Sequence, residues 1–276
     1  MLVPMSDIDV SRDNVDFLDL LNSEAGSARS VDERLEAVVF ECLANSMTDS
    51  RVSSLLNVLG FHDDFLCFAV AGRPAHTLAG TRASIRKTVR DLGGDDCIIG
   101  SHDGLCVALM SPRAAVTPEI TCTNVLPAFD DRAPVCLGPL RRGVVGASRT
   151  IRAALLSIQA APALPVVPRP MRADDALPER ALLGDVDAAD ELVNAVYASL
   201  TASGPDDPTL ETVRTFLRTG GSLETTAKEL SVHPNTVRYR LKRAAETTGW
   251  DATNPREAYV LRTAIALGQM REAAAR

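Results

Sequence analysis

Ser222-Leu-Glu-Thr-Thr-Ala-Lys-Glu-Leu-Ser-Val-His-Pro-Asn-Thr-Val-Arg-Tyr-Arg-Leu-Lys-Arg-Ala-Ala245 holds two short amphipathic segments that meet at Ser231-Val232-His233. Ser222 is placed to cap the first helix. Glu224 sits in its first turn, where the helix dipole favours an acid, and Leu223, Ala227 and Leu230 fall on its inner face. Pro234 suits the first position of a second helix, because the amide it lacks would have no intrahelical partner there. On that helix Val237, Leu241, Ala244 and Ala245 share one face, while Asn235, Tyr239, Lys242 and Arg243 occupy the other, with Thr236, Arg238 and Arg240 on the flanks. A helix fits the major groove of DNA; its N-terminal residues reach base edges, and Arg or Lys farther along neutralises phosphates. His233, Asn235 and Tyr239 are therefore predicted to contact bases or sugars, and Thr236, Arg238, Arg240, Lys242 and Arg243 mainly the backbone. Ser222 and Thr225, at the start of the preceding helix, complete the predicted DNA-binding set.

The flanking residues extend this unit. Asp207-Pro208 reads as a helix start, Leu210, Val213, Phe216 and Leu217 as its core stripe, and Gly220-Gly221 as its end. Thr253-Asn254-Pro255 begins a last helix with Ala258, Leu261, Ala264 and Ile265 on one face, and Trp250 is predicted to fill the space between that helix and the others. Between Glu211 and Trp250 seven basic residues face four acidic ones. The whole chain, by contrast, has a net charge of -7 and a pI near 5.2. Bulk charge therefore cannot draw this protein to nucleic acid, and contact must rest on a local basic face.

At 276 residues, 46% apolar and 24% charged, the chain is long enough for two globular domains with real cores. Its six cysteines, Cys42, Cys67, Cys97, Cys106, Cys122 and Cys136, lie mostly inside apolar runs without a Cys-x-x-Cys pair or a histidine at ligand spacing. They read as small buried hydrophobes in a reducing compartment. No apolar run approaches the length that spans a bilayer, and the first residues have no signal-peptide pattern, so a cytoplasmic protein without membrane contact is expected.

Residues 1–30 are acidic and weakly patterned and are expected to be poorly ordered. Val31, Leu35, Val38, Val39 and Cys42 form a helical stripe behind Ser30 as a candidate cap. Phe65 to Val70 reads as a buried central strand, and Thr77 to Leu92 as a helix stopped by Gly93-Gly94. Cys97 to Gly100 and Leu105 to Met110 form a hairpin through Asp103-Gly104, strand signals recur at Ile120 to Val125 and Val135 to Gly138, and a helix follows over Ala147 to Ala161. This order predicts an α+β fold with helices on one face of a mainly antiparallel sheet. Five prolines in residues 162–178 predict a surface linker, followed by a bridging helix over Asp187 to Ser199. The expected division is 1–30, 31–161, a linker and bridging helix over 162–204, and an all-α helix-turn-helix unit over 205–276.

The residues Gly220-Gly221-Ser222-Leu223, Ala227 and Val232-His233-Pro234-Asn235-Thr236-Val237-Arg238-Tyr239-Arg240-Leu241 resemble the C-terminal helix-turn-helix of the PucR/CdaR family of bacterial transcription regulators. The turn into the second helix is also similar to that of the nucleoid protein Fis. The resemblance covers about residues 207–270 and implies a homodimer whose two recognition helices meet successive half-sites of double-stranded operator DNA. It further implies a preceding degenerate GGDEF-like domain for dimerisation or for sensing a small-molecule effector, with no cofactor. Family members often carry a long N-terminal sensory domain, where about 30 residues precede the first patterned helix here.

The alternative is a GGDEF-related nucleotide-binding or cyclase enzyme fused to a helical interaction module. Gly93-Gly94-Asp95-Asp96 suggests it, yet the cyclase motif belongs in a hairpin, and here it follows a helix. The first strand ends in Val70-Ala71-Gly72, without the acidic metal ligands a cyclase requires. His62 beside Asp63-Asp64 and His102 beside Asp103 lack a third ligand, and neither a phosphate loop, a dinucleotide fingerprint nor a nucleophile elbow is present. A regulator without enzymatic activity is the expectation.

Overall fold

The computed structural model describes residues 31–95, 97–204 and 206–275. The segment 1–30, the cap at Ser30, Asp96 and Pro205 lie outside the described residues. Helix α1 (Val31–Ala44) buries Val38, Val39, Cys42 and Leu43, and α2 (Ser50–Val58) starts at Asp49, whose carboxylate accepts the amides of Arg51 and Val52. The central strand β1 (Leu66–Gly72) leads into α3 (Leu78–Asp91), capped by the Thr77 hydroxyl. Gly93, at φ +83°, ends α3 by returning its amide to Arg90, while the Gly94 amide returns to Val89. Strands β2 (Cys97–His102) and β3 (Leu105–Met110) are joined through Asp103 and Gly104 at φ 47° and 75°, the paired positive values of a tight hairpin turn.

Next come α4 (Pro118–Val125), β4 (Val135–Leu137), β5 (Arg141–Arg142), α5 (Gly143–Ala160) and β6 (Met171–Arg172). The sheet runs β2-β3-β1-β4-β6 with β5 also on β1, and every pairing is antiparallel except β4 with β6. The β1-α3-β2-β3-α4-β4 succession is the split βαβ arrangement of ferredoxin-like sheets.

Three expectations are corrected. Helices cover both faces of the sheet: Cys67, Ala69 and Ala71 of β1 pack with α1, α2 and α5, whereas Phe68 and Val70 pack with α3 and α4. The physical sign was the continuous apolar run of β1, since side chains alternate across a strand and an unbroken run must be buried on both sides. Ile120 to Val125 is helical, within α4. Pro118 starts that helix, Thr121, Cys122 and Val125 are buried at spacings of one and three, and Thr123 and Asn124 bond the carbonyls four residues back. β-branched residues made the segment look extended, but burial at period 3.6 decided it. The proline-rich segment 162–178, expected as a linker, contributes β6 to the sheet, and Met171, Ala173 and Ala176 to its core.

From Leu177 the apolar residues belong to a second, helical core. Helix α6 (Leu177–Leu182) is followed by α7, continuous over residues 186–201, with a π-helical turn at Leu192–Tyr197. The Tyr197 ring lies against Gly268, where a Cβ would stand 2.2 Å from it, so only glycine admits this crossing. Charged groups join the halves: Arg141 to Glu191 at 3.4 Å, Arg149 to Asp187 at 3.2 Å, and Arg256, itself paired with both Glu179 oxygens of α6, to the Asp175 carbonyl at 2.5 Å. Arg180 and Asp185 pair at 2.7 Å with side chains 3% and 4% exposed.

Candidate nucleic-acid interface

Four helices build the C-terminal unit: α8 (Thr209–Arg218), α9 (Leu223–Glu229), α10 (Pro234–Thr248) and α11 (Pro255–Ala274). Val213, Phe216, Ala227, Val237, Leu241, Ala244, Val260, Leu261 and Ala264 form one core, which holds α10 by the face its apolar spacing predicted. Ala245, at the edge of that face, is only half-buried. Each helix start is specified locally. Asp207 accepts the Thr209 amide at 2.8 Å, Ser222 the Thr225 amide at 3.2 Å, and Asn254 the amides of Arg256 and Glu257. Hydrogen bonds from the Thr209 hydroxyl and amide, with smaller help from Ser203 and Arg243, hold the Asp207 carboxyl below the usual carboxylate range.

The turn between α9 and α10 places Ser231 at φ 53° and returns the Val232 amide to Ala227 at 3.0 Å. His233 Nδ1 accepts the Asn235 amide at 3.1 Å, so this predicted contact residue also caps α10. Beyond it, Asn235, Arg238, Tyr239 and Lys242 stand exposed on one side, with Tyr239 67% accessible. Arg238 donates to Asn235 Oδ1 at 2.7 Å, which fixes both side chains on that surface. Lys242 lies 3.8 Å from Glu246, a solvent-exposed pair one helical turn apart. Thr225 is exposed on α9, Ser222 is half-exposed at its start, and Thr236 is half-buried.

Two of the predicted residues turn elsewhere. Arg240 is half-buried and donates to the Thr212 hydroxyl of α8 at 3.3 Å. Arg243 pairs with Asp207 at 3.1 Å and donates to the Ser203 hydroxyl at 3.2 Å, bracing α10 against the entry to α8. Their roles in packing escaped the sequence, because the partners Thr212, Asp207 and Ser203 lie far away in the chain. The structure therefore gathers Ser222, Thr225, His233, Asn235, Arg238, Tyr239 and Lys242 as outward groups, and leaves Arg240 and Arg243 in contact with the bundle.

Elsewhere, Gly93-Gly94 closes α3, and the hairpin is at Asp103-Gly104. Among the described residues no three His, Cys, Asp or Glu side chains come together as a metal site.

Residues 209–267 match the PucR C-terminal helix-turn-helix domain, and residues 44–160 match the GGDEF-like domain. The crystal structure of a regulator of polyketide synthase expression from Bifidobacterium adolescentis superposes with a TM-score of 0.87 at 56% identity, over 94% of this chain and 99% of that one. The chain belongs to the PucR/CdaR family of transcription regulators. Uncharacterised proteins of Mycobacterium bovis and Mycobacterium tuberculosis are each 35% identical over 257 residues, 90% of this PucR/CdaR chain. The chain spans 61% of the length of those curated relatives. No helix among the described residues of this regulator is long and apolar enough to cross a membrane. Its six cysteines are buried. Burial lifts the Cys42 thiol to about 11 and those of Cys67, Cys106, Cys122 and Cys136 to about 12, so they remain protonated and unreactive.

Proposed function

We propose that this transcription regulator binds operator DNA sequence-specifically, as a cytoplasmic homodimer, by laying the outward face of α10 in the major groove. Asn235, Tyr239 and the exposed edge of His233 read bases or sugars. Arg238 and Lys242 contact phosphates, and Ser222 and Thr225 at the start of α9 anchor the backbone. Thr236, Arg240 and Arg243 take part from the rim while bracing α10. The DNA-binding domain occupies 205–276, and the α+β domain serves dimerisation or effector sensing without chemistry of its own. One observation carries this reading: a helix whose opposite face is buried presents an exposed Tyr239 amid Asn235, Arg238 and Lys242, though the chain as a whole is acidic.

The test is equilibrium binding to an operator found by footprinting the protein on its own chromosome. Replacing Arg238 by Ala is expected to weaken binding on every sequence and reduce the slope of log K against log salt by about 0.9. Asn235→Ala is expected to cost about 1–3 kcal/mol on the operator and little on random DNA. Unchanged affinity and slope in both variants would remove α10 from the interface.

A further inference from the structure

A cleft of about 320 Å³ opens where the two cores meet, at the low end of the size range for small-molecule sites. One wall is the loop between α5 and β6, with Leu164, Pro165, Val166 and Pro168; the other is Trp250 with Val260 of α11. Val166 is 77% exposed, so an apolar side chain stands largely in solvent at the mouth. The polar groups around these walls are unequal in sign. Arg256 lines the cleft, but both Glu179 oxygens and the Asp175 carbonyl engage its guanidinium, and only 28% of its side chain is exposed. Asp175 and Glu257 accept only the uncharged backbone amides of Arg172 and Asp251. Asp174 is exposed, and among the described residues no cation forms an ion pair with it. The cleft thus combines apolar walls, an indole and an excess of negative charge.

We propose that this cleft binds a small organic cation with a flat apolar body, of the arylalkylamine class. The ring packs against Trp250 and the proline loop, and the ammonium faces Asp174 and Glu257, an arrangement favoured by aromatic packing and by Coulomb attraction. Both cores contribute walls, so the ligand touches the α+β half and the DNA-binding half at once. Trp250 is coupled to the recognition helix: its amide donates to Thr248 Oγ1 at 3.1 Å, and Thr248 donates to Ala244 in the last turns of α10. The role of such a ligand as an effector rests on the DNA-binding reading above; the existence of the site does not.

Trp250 is the sole tryptophan of the chain, so its fluorescence reports the cleft directly. The full chain is titrated with 2-phenylethylamine, with phenylacetate and 2-phenylethanol as the anionic and neutral counterparts. A saturable change with the amine, none with phenylacetate, weaker binding of the alcohol, and at least about a tenfold loss of amine affinity in Asp174→Asn are expected; a factor of ten corresponds to 1.4 kcal/mol. Absence of saturation, equal binding of the three probes, or an unaffected Asp174→Asn variant overturns the site. No DNA is present in the titration. A protein that binds the amine but no operator therefore overturns the DNA-binding reading alone, and operator affinity that is the same with and without amine overturns the effector role alone.

Discussion

Helices α3 and α10 are near-twins in sequence pattern: each buries an apolar stripe and shows four basic residues on the remainder, Arg82, Arg86, Lys87 and Arg90 in one and Arg238, Arg240, Lys242 and Arg243 in the other. The folded chain divides both helices between cations held by the protein and cations left in solvent, Lys87 and Arg90 being the exposed pair of α3, and what differs is the company the outward cations keep. In α3, Arg86 pairs at 2.5 Å with Glu36 of α1, itself 8% exposed, and Arg82 donates to the Ile99 carbonyl at 2.6 Å. In α10 the same division leaves the outward cations beside polar and aromatic side chains. Arg240 and Arg243 brace it against α8, while Arg238 and Lys242 remain beside Asn235 and Tyr239 in solvent. Basic spacing on a helix thus identifies a candidate surface, and the partners of each side chain decide which cations are available to a phosphate.

The largest test of this contrast uses an arginine that is wholly structural. Asp185→Ala should strand the buried Arg180 and destabilise the protein by about 3–5 kcal/mol, because desolvation of an unpaired charge is no longer offset. Thermal unfolding measures it, and a loss comparable with that of surface variants would show that water reaches Arg180.

The intermediate test sets the two helices directly against each other. Arg86→Ala leaves the Glu36 carboxylate without its cation and is expected to cost about 1–3 kcal/mol in urea unfolding. Arg238→Ala should change stability by no more than about 0.5 kcal/mol, so that its effect is confined to DNA. Equal stability losses would erase the distinction drawn between the held Arg86 and the outward Arg238.

The smallest effect concerns Cys42, Cys67, Cys106, Cys122 and Cys136, all in the α+β half. Native protein near neutral pH should resist alkylation until denatured. Their folded pKa values, about 11 to 12, lie above the ordinary 9.0. Below 9.0 both states hold the protons and these thiols give no pH dependence. As pH rises past that value the unfolded chain releases them first, so stability declines. Rapid native alkylation, or stability that rises through that window, would contradict the burial.

The helix-turn-helix was the most legible part of the chain because its signals are local. Ser222 as cap, Gly220 and Gly221 with positive φ, Pro234 at a helix start, and the spacing of Val237, Leu241 and Ala244 each act within a few residues. The Asp103-Gly104 hairpin and the end of α3 at Gly93 were readable for the same reason. The errors fell where the deciding partner is remote. Ile120 to Val125 has β-branched residues, and only a core on one side made it a helix. Residues 171–172 carry too little pattern to announce a strand, and only the neighbouring β4 supplies the bonds that make one.

By itself, the sequence determined the caps, turns and apolar faces that specify the recognition unit, along with the acidity that confines any nucleic-acid contact to it. Only the tertiary structure decided that both faces of the sheet are covered, that Arg240 and Arg243 face the bundle, and that Leu164 to Pro168 stands opposite Trp250. The physical reason is range. Caps and helical periods act over one or two turns of chain, whereas burial and ion pairing depend on groups that become neighbours only when the whole chain folds.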